Sequence, residues 1–165
     1  MNNIYLVGLP GSGKSTIGKF YAKRINKKFI DLDKYIVMRE KKPVAELFEE
    51  GESVFRKAET EALKDIITNF ENYIVATGGG IVETPENIIL LKQETVIFLY
   101  RPINMILNTI NPEKRPLLKN NPNKIYEIWH RRKAKYKAVA TYKVRNNRGL
   151  RHCVNELLKL NINIL

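Results

Sequence analysis

The sequence predicts an α/β fold, in which short buried strands alternate with helices and pair into a parallel sheet. Short apolar runs recur along the chain, and the segments between them carry apolar residues at helical spacing. The first apolar run, residues 4–8, ends in glycine and is followed by a helical pattern at residues 14–25. The 165 residues are enough for a substantial core, so we expect a single domain over residues 1–165 with right-handed crossovers.

The strand predictions rest on apolar runs that lead into glycine or into carboxylates. TVIFLY, residues 95–100, is the most strand-like segment because it is β-branched and aromatic almost throughout. The strand at residues 29–33 ends in carboxylates, and the strand that begins at Tyr73 leads into three glycines. The predicted strands are residues 4–8, 29–33, 73–77, 95–100 and 142–145.

The helix predictions rest on apolar residues spaced three or four positions apart and bounded by glycine or proline. Gly51 separates two of these helices, and Pro102 is typical of a first helical turn. The predicted helices are residues 14–25, 44–48, 52–70, 85–91, 102–108, 124–139 and 150–160. Residues 110–122 hold three prolines and few packing residues, so we predict a mobile surface loop there.

The net charge of +12 favours anionic partners, which include nucleic acids, acidic lipids and small phosphorylated substrates. The surplus lysine is spread along the chain, which is typical of a solvated surface. No apolar run approaches the ~20 residues that a membrane span needs, and no signal-peptide pattern precedes the first strand. Cys153 is the single cysteine, which excludes an intrachain disulfide, and we expect it to pack within a helix. We therefore expect a cytoplasmic protein.

The stretch GLPGSGKST, residues 8–16, fits the pattern G-x-x-x-x-G-K-[ST] and lies between a predicted strand and a predicted helix. Glycines in this pattern let the backbone close around phosphates, with N–H groups pointing at the anion. Lys14 is predicted to reach the β- and γ-phosphates, and the Ser15 hydroxyl to ligate Mg²⁺. The predicted ATP-binding residues here are Gly11, Ser12, Gly13, Lys14, Ser15 and Thr16.

Asp31 and Asp33 flank Leu32 at the end of the second predicted strand, and strand alternation would place both carboxylates on one side. Ligands of open α/β sheets lie at the carboxyl ends of strands. One acid could therefore face Mg²⁺ through water, and the other could face an acceptor hydroxyl. The alternative is helix capping, because an aspartate directly before residues 34–38 is a good N-cap.

Glycines and arginines supply the remaining candidates. Three consecutive glycines, Gly78, Gly79 and Gly80, cost chain entropy, so a close backbone approach is predicted there, with a simple loop as the alternative. An arginine on the predicted surface loop, Arg115, could fold over phosphates and stabilise transferred charge. Arg132 could pair a carboxylate in a bidentate way. Taken alone, these two arginines and Arg56 are each also compatible with a solvated surface.

Together these motifs resemble the shikimate kinase family. The resemblance runs through GLPGSGKST, DLD, FRKAE, ATGGG, RPLL and R-x-x-x-Y, in the family's order and nearly its spacing, over residues 4–140. It implies a three-layer α/β/α fold whose central five-stranded parallel sheet has the order 2-3-1-4-5. It also implies a mobile lid at residues 110–122 and an acceptor-binding region at residues 33–60. The family commonly has a further lid arginine before RPLL, and Asn108 and its neighbours offer none.

The resemblance further implies a reaction and a set of residue roles. The reaction would be ATP-dependent phosphorylation of the 3-hydroxyl of shikimate, in the pathway to chorismate and the aromatic amino acids. The catalytic residues would be Lys14, Asp33 and Arg115, with Arg115 also contacting ATP. Shikimate would contact Asp33, Arg56, Gly78, Gly79, Gly80 and Arg132, supported by Phe48, Phe55 and Glu59. Ser15, and Asp31 through water, would hold one Mg²⁺ per ATP. We expect a monomer without a nucleic-acid or membrane partner.

Two other functions are compatible with part of the pattern. Another small-molecule kinase, acting on gluconate or a nucleoside monophosphate, would share residues 8–16 but does not need three glycines together with two carboxylate-binding arginines. A basic, nucleotide-regulated nucleic-acid-binding protein would fit the net charge of +12. Against it, the sequence has no platform of interleaved aromatic and basic residues, and Trp129 lies in a helix predicted to face the core.

Overall fold

The structure is a computed structural model that describes residues 2–111, 113 and 117–162. The strands are β1 (Ile4–Val7), β2 (Lys28–Asp31), β3 (Tyr73–Ala76), β4 (Thr95–Tyr100) and β5 (Tyr142–Arg145). The helices are α1 (Lys14–Arg24), α2 (Leu32–Glu40), α3 (Val44–Glu50), α4 (Glu52–Asn69), α5 (Pro85–Leu91), α6 (Ile103–Leu107), α7 (Lys124–Val139) and α8 (Leu150–Leu158). One turn of 3₁₀-helix, Ile81–Glu83, follows β3. The predicted bounds of β4, β5, α5 and α7 match the structure residue for residue.

All strands belong to one parallel sheet in the order β2-β3-β1-β4-β5. This confirms the sheet order that the family resemblance implies. The central strand β1 pairs with β3 on one side and with β4 on the other. Since all strands run the same way, their carboxyl ends meet at a single edge of the sheet, which is where ligands of such folds bind.

Apolar clusters cover both faces of the sheet. Ile4 and Leu6 of β1 pack in the cluster that contains α1 and α8, while Tyr5 and Val7 pack on the opposite face with α4 and α7. Strands buried on both faces need apolar residues at nearly every position, which explains the composition of β1 and β4. The fully buried Cys153 lies in α8 within the first cluster, as predicted. No helix in the described part of the chain is both long and apolar enough to cross a membrane.

The boundary between β2 and α2 differs from the prediction. The strand ends at Asp31, and Asp33 lies in the first turn of α2, so strand alternation does not bring the two carboxylates together. The physical reason is capping, because the Asp31 side chain accepts a hydrogen bond from the backbone nitrogen of Lys34 at 3.3 Å and so begins the helix early. The capping alternative therefore holds for Asp31, while Asp33 is left inside the helix.

The predicted surface loop at residues 110–122 is partly a packing segment. Leu118 is only 1% exposed and belongs to the core cluster that contains α4 and α7. Leu117 is partly buried against the same cluster. The prediction of few packing residues is therefore wrong for this end of the segment. Arg115, the predicted lid arginine, lies outside the described residues.

Candidate active site

Each strand delivers polar groups to the carboxyl edge of the sheet. Residues 8–15 follow β1, Asp31 ends β2, Thr77 follows β3, Arg101 follows β4 and Asn146 follows β5. Two adjoining cavities open at this edge. The phosphate cavity, about 320 Å³, is lined by Gly11, Gly13, Lys14, Ser15, Thr16, Asp31 and Arg101, among others. The acceptor cavity, about 380 Å³, is lined by Phe48, Phe55, Arg56, Glu59, Gly80 and Arg132, among others. Asp33, Gly78 and Gly79 line both cavities.

Lys14 binds the start of its own phosphate loop. Its Nζ atom donates hydrogen bonds to the carbonyl oxygens of Gly8 and Leu9, both at 2.8 Å, and lies 3.4 Å from Ser12 Oγ. The residue is 7% exposed and lines the phosphate cavity. The ammonium group therefore neutralises carbonyl dipoles of the loop while remaining next to the space where phosphates would lie.

Two side chains from neighbouring strands hold the next carbonyl groups of the loop. Arg101 Nη1 donates to the Gly11 carbonyl at 3.2 Å, and Asn146 Nδ2 donates to the Ser12 carbonyl at 2.9 Å. Gly11 and Gly13 have φ angles of 78° and 97°, which a side chain would strain. The Ser12 N–H donates to the Leu9 carbonyl at 3.1 Å, and the other backbone N–H groups of the loop can be taken by an anion.

Ser15 and Asp31 bring a hydroxyl and a carboxylate together at the phosphate cavity. Ser15 Oγ donates to Asp31 Oδ2 at 2.5 Å, and both residues line the cavity. Mg²⁺ prefers such oxygen ligands and usually takes one or two from the protein, with waters and phosphates as the others. The described residues contain no cluster of three or more His, Cys, Asp or Glu side chains suited to a metal. The oxygens of Ser15 and Asp31 fit a magnesium ion that also takes ligands from a nucleotide and from water.

Arg56 is fixed at the wall of the acceptor cavity by acids and aromatic rings. Its Nη1 pairs with Glu59 Oε2 at 2.8 Å, and its Nη2 pairs with Glu52 Oε1 at 3.1 Å. The guanidinium carbon lies 5.7 Å from the ring centroid of Phe48 and 5.3 Å from that of Phe55. The two rings stack with centroids 4.5 Å apart. This surrounding holds the guanidinium plane in one orientation.

Glu59 is fully buried beside Arg56 and next to the junction of the two cavities. Burial raises its pKa from 4.5 to about 7, the charge and hydrogen bonds of Arg56 oppose this rise, and the charge of Asp33 adds to it. Glu59 Oε1 has no hydrogen-bond partner among the described residues. The buried atom can therefore bind a polar group of a ligand in the cavity.

Arg132 is 1% exposed and lines the acceptor cavity. Its Nε atom pairs with Glu83 Oε1, and its Nη2 atom is buried without a hydrogen-bond partner in the described part of the chain. One turn later on α7, the Tyr136 hydroxyl donates to the Gly79 carbonyl at 2.5 Å. Two guanidinium groups, Arg56 and Arg132, thus line one cavity, which suits a ligand carrying a carboxylate.

Comparison with known proteins decides the family. The family model for shikimate kinase matches residues 10–161. The chain is 42% identical over 163 residues to a shikimate kinase of Clostridium botulinum (strain Eklund 17B / Type B), with 98% of each chain covered. This chain belongs to the shikimate kinase family.

Solved structures of the shikimate kinase family have the same fold as this chain. A shikimate kinase from Acinetobacter baumannii, solved in complex with shikimate, superposes with a TM-score of 0.90 at 34% identity and covers 96% of this chain and 92% of its own. A shikimate kinase from Bacteroides thetaiotaomicron superposes with a TM-score of 0.85 at 32% identity and covers 96% and 99%. As a member of this family, the chain is a kinase with ATP as its co-substrate.

The three consecutive glycines of this shikimate kinase lie close against neighbouring side chains. A Cβ at Gly78 would lie 3.0 Å from both Asp33 Oδ1 and Glu59 Oε1. A Cβ at Gly79 would lie 2.6 Å from the Pro10 ring, and one at Gly80 would lie 2.3 Å from the Arg56 guanidinium. The predicted close approach to these glycines is thus made by the protein's own side chains. A larger residue at Gly79 or Gly80 would displace Pro10 or Arg56, both of which line the acceptor cavity.

Sequence reasoning missed several residues that the structure brings to the site. Arg101 and Asn146 follow the ends of β4 and β5, so the rule that ligands lie at strand carboxyl ends could have found both. Glu83 lies in the 3₁₀ turn, which no sequence pattern predicts. Pro10 lies so close to Gly79 that a Cβ there would be 2.6 Å from its ring, an approach between distant parts of the chain that spacing alone does not indicate.

Proposed function

We propose that this chain transfers the γ-phosphoryl group of ATP to the 3-hydroxyl of shikimate, giving shikimate 3-phosphate and ADP. The observation that carries the proposal is the position of Asp33, which lines both the phosphate cavity and the acceptor cavity. A carboxylate that borders both cavities can contact the acceptor hydroxyl and also the phosphoryl group that this hydroxyl receives. The similarity to a shikimate kinase solved with shikimate supports this acceptor.

The acceptor cavity has complementary groups for each part of shikimate, which carries one carboxylate and three hydroxyls on a six-membered ring. Arg56 and Arg132 would bind the carboxylate by charge-assisted hydrogen bonds. Asp33 and Glu59 would accept hydrogen bonds from hydroxyls, since both carboxyl groups lie beside Gly78. The stacked rings of Phe48 and Phe55 would border the apolar part of the ring.

The phosphate cavity would hold the triphosphate of ATP. Backbone N–H groups of Gly11 and of residues 13–16, together with the Lys14 ammonium, would bind the phosphate oxygens. Ser15, and Asp31 through water, would hold Mg²⁺, which neutralises charge on the β- and γ-phosphates when bound. The hydrogen bond between these two residues supports the assignment because it places both oxygens together before any nucleotide arrives.

The transfer forms one bond and breaks one. The 3-hydroxyl oxygen attacks the γ-phosphorus, and the bond from the γ-phosphorus to the β,γ-bridging oxygen breaks, with its electron pair leaving on ADP. The hydroxyl proton passes to an oxygen of Asp33, which acts as general base or orients the hydroxyl. Lys14 stabilises the charge of the transferring group, and Arg115 would do the same if residues 110–122 close over the phosphates. Closure would also exclude water as a competing acceptor.

A coupled assay of ADP release, run with and without shikimate, tests the proposal. We expect ADP release to require shikimate and ³¹P NMR to show one phosphomonoester product. Gluconate and nucleoside monophosphates are tested in the same assay as alternative acceptors. Single-stranded RNA is tested as an activator of ATP hydrolysis. Faster turnover with either alternative acceptor would reassign the acceptor cavity. RNA-dependent ADP release without an acceptor would reassign the chain to nucleic-acid binding.

A further inference from the structure

Glu83 is the central residue of a cluster of charges between the 3₁₀ turn and α7. Its Oε1 atom accepts hydrogen bonds from Nε of Arg132 and from Nε of Arg131, the latter at 3.0 Å. Its Oε2 atom accepts from Lys135 Nζ at 3.3 Å. One carboxylate thus binds three cations that lie within five consecutive positions of a single helix.

The three cations differ sharply in their exposure to solvent. The side chains of Arg131 and Lys135 are 52% and 35% exposed, so water can solvate both. The Arg132 side chain is 1% exposed and depends on protein groups for its partners. A buried cation without a paired anion is strongly unfavourable, so Glu83 matters most for Arg132.

The pairing also determines which atoms of Arg132 face the acceptor cavity. A guanidinium is planar and its five N–H donors point in fixed directions, so anchoring Nε fixes the direction of the Nη atoms. Nη2 is buried without a hydrogen-bond partner among the described residues, and Arg132 lines the acceptor cavity. The anchored guanidinium therefore has a donor available for an anionic ligand.

The pKa of Glu83 is consistent with a permanent anchor. Burial would raise this pKa, but the hydrogen bonds and charges of Arg132 and Arg131 outweigh burial and lower it from 4.5 to about 2. The carboxylate is therefore ionised at every pH at which the enzyme would be assayed.

We propose that Glu83 is a positioning residue for acceptor binding, which holds Arg132 by Nε so that Nη2 meets the carboxylate of the acceptor. The inference rests on the proposed function, since it assumes an acceptor that carries a carboxylate. Glu83 itself contacts Arg131, Arg132 and Lys135 and acts on the acceptor through Arg132.

The test is the Glu83→Gln variant, assayed with shikimate varied at saturating ATP and then with ATP varied at saturating shikimate. We expect KM for shikimate to rise about tenfold or more, which is the scale of one charge-assisted hydrogen bond, and KM for ATP to stay within about twofold. Three matched controls are Arg131→Ala, Lys135→Ala and Glu86→Gln. The first two remove the exposed partners of Glu83, and the third removes a surface carboxylate that pairs with Lys64 at 2.9 Å. All three should leave both KM values unchanged.

A double-mutant cycle separates positioning from a purely structural role. In the Arg132→Ala background, Glu83→Gln should change KM for shikimate by less than about twofold, because the residue through which it acts is gone. If Glu83→Gln does not fold, Glu83→Asp, which keeps the charge and shortens its reach, replaces it in the same cycle. If the effects of Glu83→Gln and Arg132→Ala on KM for shikimate multiply in the double variant, the role of Glu83 is overturned. Equal rises in KM for shikimate and for ATP in Glu83→Gln would overturn it as well. Absence of shikimate turnover in the unmodified chain would instead overturn the proposed function.

Discussion

The side-chain amide of Asn146 donates a hydrogen bond to the carbonyl oxygen of Ser12 at 2.9 Å, which joins the end of β5 to the phosphate loop. Together with Lys14 and Arg101, Asn146 keeps carbonyl groups of the loop bonded to donors, which would leave the loop N–H groups other than that of Ser12 for phosphate. Because β5 is distant from the loop in sequence, this contact can be tested without changing the loop itself.

Asn146→Ala should weaken nucleotide binding with little effect on the acceptor. Loss of the amide leaves a buried carbonyl without its donor, which costs about 1–2 kcal/mol, so KM for ATP should rise about 5- to 30-fold. KM for shikimate should change by less than about twofold. The matched control is Asn69→Ala, which removes a surface amide bonded to Asp65 at 2.6 Å. Equal KM values for ATP in both variants would show that the loop does not need this contact.

Asp33→Asn should preserve the fold and ATP binding but lose most phosphoryl transfer. General-base assistance typically contributes about 10²- to 10⁴-fold, and Asp33 lines both cavities. Steady-state kcat, with ATP-analogue binding measured by calorimetry as a folding control, provides the check. A folded variant with kcat within about threefold of the unmodified chain would leave Asp33 with a structural role in α2.

The free energy of unfolding should depend on pH through Glu59. Its pKa is raised from 4.5 to about 7, so the native chain holds a proton between these values that the unfolded chain has released. The contribution of Glu59 to stability is therefore present below pH 4.5 and is lost as pH rises through about 7. Urea unfolding at pH 5 and pH 8 should show that the stability of the unmodified chain relative to Glu59→Gln falls by about 2–3 kcal/mol. If the difference in unfolding free energy between the unmodified chain and Glu59→Gln is the same at pH 5 and pH 8, the raised pKa is contradicted.

Residues 110–122 are predicted to close over the site when substrates bind. The described ends of this segment touch both cavities, since Ile110 and Asn111 line the phosphate cavity and Leu117 and Leu118 line the acceptor cavity. Hydrogen exchange should slow in this window when a non-hydrolysable ATP analogue and shikimate are both present. Arg115→Ala should lower kcat more than it weakens shikimate binding, because its charge matters most in the transition state. Strand β4 serves as the internal reference, and unchanged protection of the window relative to β4 would remove the closing role from Arg115.

The sequence predicted the fold well because its strongest signals are local. The apolar runs of β4 and β5 and the capped or proline-started helices carry their own boundaries, which explains the agreement at Thr95–Tyr100 and Pro85–Leu91. Residues 8–16 fit the phosphate-loop motif and lie between a predicted strand and a predicted helix, so the phosphate loop was predicted directly from the sequence. The helix start at Leu32 was missed because two aspartates compete for one cap, and only the hydrogen bond from Lys34 decides between them.

The rest of the site depends on contacts between distant residues. Leu118 follows a stretch with the composition of a surface loop, and its burial becomes visible only when α4 and α7 are packed together. The partner of Arg132 could not be predicted because Glu83 is 49 residues away and lies in a single 3₁₀ turn. Such pairs leave no periodic pattern in the chain. The sequence therefore predicts the functional side chains more readily than the side chains that position them.

The adjacency of the two cavities has a consequence for inhibitor design. Because Asp33, Gly78 and Gly79 border both spaces, the two cavities adjoin, so a polyphosphate arm and a carboxylate-bearing ring can be joined by a short link. Joining them makes the second binding event intramolecular, with an effective concentration on the order of millimolar for a short link. The polyphosphate arm alone would bind a loop whose motif many nucleotide-binding proteins share. The joined compound must also match Arg56 and Arg132, so its discrimination between enzymes comes from the acceptor cavity while much of its affinity comes from the phosphate loop.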